Sequence, residues 1–188
     1  MEGTAAEAVE RVVLVGFMCS GKTRVGRELA ARLGWEQVDL DREIEARAGM
    51  RVAEIFARHG EPRFRELEAE ATERVADRRR IVLSSGGGWI TRPELLDRLG
   101  AGTLSVWLRV SPEQVLARSA ASPGERPLLA TPDPLASIHR LLAERERFYS
   151  LAQLALSTDG RRPSEIVQRI ESEIHRRETR SGALPAPP

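Results

Sequence analysis

An apolar, β-branched run at residues 11–15, RVVLV, leads straight into GFMCSGKT at residues 16–23, and this junction limits the chain more than any other segment. The pattern G-x-x-x-x-G-K-T is met by Gly16, Gly21, Lys22 and Thr23, with a buried-strand pattern before it and a helical pattern after it. Small residues let the backbone wrap so that several N–H groups point at phosphate oxygens, and the helix that follows adds its positive end. The product is an anion cradle. Lys22 can reach the outer phosphates of a nucleotide, and Thr23 can offer its hydroxyl to Mg²⁺. Lys22 is also the only lysine among 29 basic residues, and a compact ammonium fits a phosphate pocket where a forked guanidinium would crowd it.

A strand feeding such a loop and then a helix is the opening unit of a parallel sheet, and the remaining sequence keeps that rhythm. Strand patterns fall at 11–16, 36–40, 80–84, 103–109 and 153–158, with amphipathic stretches between them. The expected fold is α/β, a three-layer α/β/α arrangement around a five-stranded parallel sheet. The helix from Lys22 to Leu33 should stop at Gly34, and Ser111-Pro112-Glu113 reads as a helix entrance. A length of 188 residues suits a single domain, expected at 11–175 with flexible termini at 1–10 and 176–188. Residues 41–79, with helical patterns at 41–48, 52–59 and 63–79, exceed what one crossover needs and leave room for a substrate-binding insertion. Residues 119–134, SAASPGERPLLATPDP, are poor material for helix or strand; a mobile lid over the nucleotide and an ordinary surface loop both fit them.

Composition removes other functions. A net charge of +1 argues against a general nucleic-acid or membrane surface. No apolar run approaches the roughly 20 residues of a membrane span, and the start MEGTAAEAVE lacks the basic and apolar parts of a signal peptide. A cytoplasmic location and a monomer are expected. Cys19, the single cysteine, excludes an internal disulfide and a cysteine-based metal cluster.

Three further groups carry chemistry. In Val38-Asp39-Leu40-Asp41 two carboxylates alternate with apolar residues at the end of the second strand, where period two would put them on one face. Ligands of open parallel sheets sit at these carboxyl ends. Asp39 is therefore assigned to the waters of Mg²⁺, and Asp41 to orienting or deprotonating an attacking hydroxyl; alternatively the pair begins the next helix, with Asp41 as its N-cap. The third strand ends in Ser84-Ser85-Gly86-Gly87-Gly88, where three glycines permit close approach of a ligand and Ser84 can reach a magnesium water. Arg65 and Glu68 lie three apart on one helical face, so the glutamate can hold the guanidinium for a planar carboxylate. Arg126, ahead of Pro127-Leu128-Leu129, can swing onto the transferring phosphate, and Arg145, four before Tyr149, can meet the same acceptor anion as Arg65.

The set GFMCSGKTRVG, VDLDREIE, GEPRFRELE, SSGGG, RPLL and RERFY, in this order and spacing, closely resembles the shikimate kinases, a branch of the nucleoside monophosphate kinase-like P-loop fold. The resemblance runs from about Val12 to Ile174 and implies transfer of the ATP γ-phosphoryl group to the 3-hydroxyl of shikimate, with Mg²⁺ as cofactor. It implies nucleotide contacts at Cys19, Ser20, Gly21, Lys22, Thr23, Arg24 and the lid arginine Arg126. Adenine would lie between Arg118 and the segment Arg161-Arg162-Pro163. It implies a metal-associated acid at Asp39 and an acid on the shikimate hydroxyls at Asp41. The acceptor site is completed by Arg65, Arg145 and the glycines Gly86, Gly87 and Gly88, with Glu68 beside Arg65. The chain departs from the pattern at Cys19, where a third glycine is usual, and at Trp89, whose bulk would narrow the acceptor pocket. Another small hydroxy acid such as gluconate, or a nucleotide-binding relative without turnover, is left open by the residues themselves.

Overall fold

Val12 to Val15 have no exposed surface at all, which identifies their strand as central. The computed structural model describes residues 8–121, 129 and 131–181. Strand β1 (Arg11–Val15) lies between β3 (Ile81–Ser84) and β4 (Thr103–Arg109), β2 (Glu36–Asp39) flanks β3, and β5 (Leu154–Ser157) flanks β4. All pairings are parallel, with Val12 opposite both Val82 and Leu104. Alternation sorts the side chains onto two cores. Val13, Val15, Ile81 and Leu83 meet α2 (Leu40–Ala48), α3 (Val52–Ala76), α4 (Glu94–Arg98) and the end of α6 (Pro134–Tyr149). Val12, Leu14, Val82, Leu104, Val106 and Leu108 meet α1 (Lys22–Leu33) and α7 (Pro163–Ser181). Helix α5 (Pro112–Ala120) packs on α6 through Val115, Ile138 and Leu141 above Phe17.

Several boundaries differ from the sequence reading, each for a local reason. The second strand ends at Asp39 and the chain enters α2 at Leu40; Asp39 itself is the N-cap, its side chain accepting from the Arg42 N–H at 3.4 Å. Asp41 therefore sits in the first turn of α2, and strand period two does not relate the two acids. The two helical stretches expected at 52–59 and 63–79 are both present as the two parts of α3, separated at Gly60 (φ 76°, ψ 174°), a conformation that side chains resist. Pro62 follows the break, where a helix tolerates it. The second part of α3 closes at Asp77, and Arg80 takes a φ of 56° before β3. Among the described residues, some assigned to the termini carry structure: Val9 is buried, Glu10 N–H donates to Gly102 O at 2.8 Å, and α7 continues through 176–181, with Glu173 pairing Arg176 and Arg177. Of the lid stretch, residues 119 and 120 finish α5 and Pro134 opens α6. Residues 122–128 and 130, Arg126 among them, lie outside the described residues.

Trp89 does not narrow a pocket. It has no exposed surface, belongs to the core beneath α3, and donates its indole N–H to Thr72 Oγ1 at 2.9 Å; that hydroxyl in turn donates to Glu68 O at 2.7 Å. The indole thus fixes the turn of α3 that carries Glu68. Replacing Trp89 by Phe leaves a cavity and removes one buried hydrogen bond, so the free energy of unfolding in urea should fall by about 1–3 kcal/mol. An unchanged midpoint and slope would contradict this role.

Candidate active site

The phosphate-binding loop spans the gap between β1 and α1. Gly16 and Gly21 adopt φ of 148° and 91°, and Cys19 sits at φ 60°, a left-handed conformation that its Cβ makes costly. Two contacts hold it there: Ser20 N–H donates to Phe17 O at 3.2 Å, and Arg118 Nη1 donates to Cys19 O at 2.9 Å. Arg118 also binds Thr158, through Oγ1 at 3.2 Å and the carbonyl at 3.1 Å, so α5 is tied to the loop after β5. Arg161 in that loop is exposed and Pro163 opens α7. Ser20 Oγ is buried without a partner among the described residues, and Arg24 points outward from α1 as an exposed residue.

Lys22 begins α1 and folds back on the loop, its Nζ donating to Gly16 O at 2.8 Å and Phe17 O at 3.0 Å. Removal from water lowers its pKa from 10.5 to about 8, against the opposing pull of Asp41 and Asp39. Thr23 Oγ1 donates to Asp39 Oδ2 at 3.0 Å. One hydroxyl and one carboxylate are too few to hold a metal alone, and among the described residues no cluster of His, Cys, Asp or Glu offers a complete cage. That partial set suits Mg²⁺, which keeps several waters and binds through one or two protein oxygens together with phosphates.

Beyond the phosphates the strand ends converge on acids and glycines. Asp41 is pushed from 3.8 up to about 6, first by burial and then by Asp39, with Lys22 opposing. Burial likewise raises Glu68, whose side chain has no exposed surface, against the lowering effect of Arg65. Asp41 Oδ1 and Glu68 Oε1 are both buried without a hydrogen-bond partner among the described residues, and both face Gly86, where a methyl group would sit 3.1 and 3.0 Å from them. Two unpaired acceptors aimed at one glycine leave a place for hydroxyl donors. Arg65 Nη1 donates to Glu68 Oε2 at 2.5 Å, and its guanidinium lies so close to Gly88 that a methyl there would come within 2.5 Å of Nη2.

Arg145 reaches the same turn from α6. Its Nη1 donates to Gly87 O at 3.4 Å and its guanidinium lies 5.6 Å from the centre of the Phe17 ring. Gly87 O also accepts from the Tyr149 hydroxyl at 2.6 Å, with Tyr149 stacked on Trp107 at 5.7 Å. Tyr149 entered the sequence reading only as a spacing marker, and Glu61, which binds Arg65 from four residues upstream, not at all. Glu61 was open to discovery by the same helical spacing that found Glu68.

A glycine-bounded loop with its lysine and threonine, an acid hydrogen-bonded to that threonine, and a second, buried acid near Arg65 define a P-loop kinase of small molecules. A family model described as shikimate kinase matches residues 18–175. A shikimate kinase of Thermus thermophilus is 44% identical over 173 residues, covering 92% of this chain and 94% of that protein. A solved shikimate kinase from Acinetobacter baumannii, in complex with shikimate, superimposes with a TM-score of 0.83 at 34% identity, over 92% of this chain and 96% of the other. A gluconokinase from Sinorhizobium meliloti shares the fold alone, at TM-score 0.59 and 19% identity over 89% and 93% of the two chains. The chain belongs to the shikimate kinase family.

The raised pKa of Asp41 carries a cost in stability. The folded state holds this proton more tightly than the unfolded chain, so stability is lost as pH rises from about 4 to about 6, and the loss persists above. The contrast between 3.8 and about 6 corresponds to roughly 3 kcal/mol at most. Asp41→Asn should therefore unfold at higher urea than the native protein at pH 7, and the difference should vanish near pH 4. A variant less stable than the native protein at pH 7 would refute this.

Proposed function

We propose that this protein is a shikimate kinase, transferring the γ-phosphoryl group of ATP to the 3-hydroxyl of shikimate in the biosynthesis of chorismate and the aromatic amino acids. The observation that carries the reading is the Arg65 guanidinium held by a fully buried glutamate, which meets Asp41 at Gly86 in the turn after β3. A rigid cyclic acid with several hydroxyls answers that arrangement. Its carboxylate meets Arg65 and Arg145, and its hydroxyls donate to the unpaired oxygens of Asp41 and Glu68 at Gly86.

Lys22 exchanges its loop carbonyls for the outer phosphate oxygens of ATP and offsets the charge that spreads over the transferring group. Asp41 accepts the hydroxyl proton as the new O–P bond forms and the bond to ADP breaks. Its pKa near 6 brings its basicity toward neutral pH while leaving it mostly ionised there. Thr23 and Asp39 would hold Mg²⁺, which when bound would supply charge neutralisation during the transfer. Arg118, Arg161 and Pro163 are assigned to the adenine, Cys19, Ser20 and Gly21 to the phosphates, with Arg24 as an outer nucleotide contact, and Arg126, outside the described residues, is assigned with Lys22 to the transferring phosphoryl group. A monomer in the cytoplasm completes the reading; among the described residues no helix is long and apolar enough to cross a membrane.

A coupled assay of ADP release decides among acceptors. Turnover is expected with ATP, Mg²⁺ and shikimate, and not with gluconate or without acceptor. Arg65→Ala should raise the KM for shikimate with a smaller effect on kcat, and Lys22→Ala should lower kcat by a factor on the order of 10² or more. Turnover with gluconate alone, or an unchanged KM in the arginine variant, would overturn the assignment. Nucleotide binding without any acceptor-dependent turnover would favour a non-catalytic relative.

A further inference from the structure

Arg65 is already saturated on one side before any acceptor arrives. Its Nε and Nη2 both donate to Glu61 Oε1, at 3.1 and 2.7 Å, while Nη1 donates to Glu68 Oε2 at 2.5 Å. The two glutamates differ in setting. Glu68 has no exposed side-chain surface, and its turn of helix is fixed by the hydrogen bond from Thr72 to its carbonyl. Glu61 is 62% exposed, stands beside the Gly60 break in α3, and its carboxylate has no second partner among the described residues. One is a fixture and the other is free to leave.

A guanidinium offers a carboxylate two-donor edges, one from Nε with Nη2 and one from Nη1 with Nη2. On Arg65 the Nη1/Nη2 end rests against Gly88, where even a methyl group would come within 2.5 and 2.9 Å of the two nitrogens. That end faces the protein. The edge left for an incoming carboxylate is the Nε/Nη2 edge, and Glu61 occupies it.

We propose that Glu61 is a built-in competitor for the acceptor: in the free protein it holds the edge of Arg65 that the acceptor's carboxylate takes, and it turns into water as the acceptor binds. This rests on Arg65 as an acceptor clamp, as argued above. The device keeps the guanidinium in its binding pose while empty. It also disfavours anions with a single contact, because only a ligand that gains Arg145 and the buried acids as well recovers the pair it displaces.

The test compares the native protein with Glu61→Gln and Glu66→Gln. Glu66 removes the same charge one turn away, 63% exposed and paired with Arg63 at 2.8 Å, without touching Arg65. Shikimate binding is measured by calorimetry without nucleotide, and KM and kcat by ADP release. Glu61→Gln should tighten shikimate binding and lower its KM about two- to fivefold, the range an exposed ion pair supports, with kcat within about twofold; Glu66→Gln should change neither. Unchanged or weaker binding in Glu61→Gln, or an equal gain in Glu66→Gln, would overturn the proposal. Tighter binding in Glu61→Gln without turnover in any form would uphold the competitor and remove the kinase reading instead.

Discussion

Charge held out of water at the carboxyl ends of three strands is the constraint on which the rest of this structure depends. Lys22, Asp39, Asp41, Glu68 and Arg65 come from the starts of α1 and α2 and the second part of α3, and each would be costly there alone. Together they offset one another: the lysine lowers Asp41, both aspartates raise Lys22, and Arg65 lowers Glu68. The balance is incomplete, as the displaced pKa values of Lys22 and Asp41 record. Fully relieved charges would have no reason to accept a phosphate or a hydroxyl. The two apolar cores, one on each face of the sheet, support the backbone that keeps these groups close.

The turn after β3 joins the two halves of the site. Gly87 O accepts from both Tyr149 and Arg145, and Arg145 lies over Phe17, whose carbonyl holds Lys22. A short chain of contacts therefore runs from the phosphate loop through Arg145 to the glycine turn after β3. Trp107 stacks on Tyr149 from β4 and Trp89 anchors Thr72 and Glu68 from below. Two of the three tryptophans thus serve as supports for polar residues, their bulk in the core and their position set by the site.

The sequence made the nucleotide half legible because that half is local. Gly16, Gly21, Lys22 and Thr23 are close in the chain, and a strand before a glycine-rich turn admits few conformations. Arg65 and Glu68 were readable for the same reason, through helical spacing. What escaped was decided across the chain or by competition between local signals. Asp41 was the cap that the alternative reading offered, and the Arg42 N–H goes instead to Asp39. Trp89 looked like a pocket residue because a run of glycines suggests open space; only the fold sets it under α3, beside Thr72 seventeen residues away in sequence. Val9 and the last turns of α7 were discounted for their nearness to the ends, although packing against Gly102 and ion pairs to Glu173 hold them.

The solitary lysine has a consequence outside catalysis. A lysine-specific protease finds one bond to cut in the whole chain, between Lys22 and Thr23, and that bond lies in the first turn of α1 with the ammonium docked on two loop carbonyls. Proteases bind extended chain, so cleavage requires this turn to unwind first. The rate of a single cut therefore reports the free energy of opening the phosphate loop, reading local stability at one place in an otherwise folded protein.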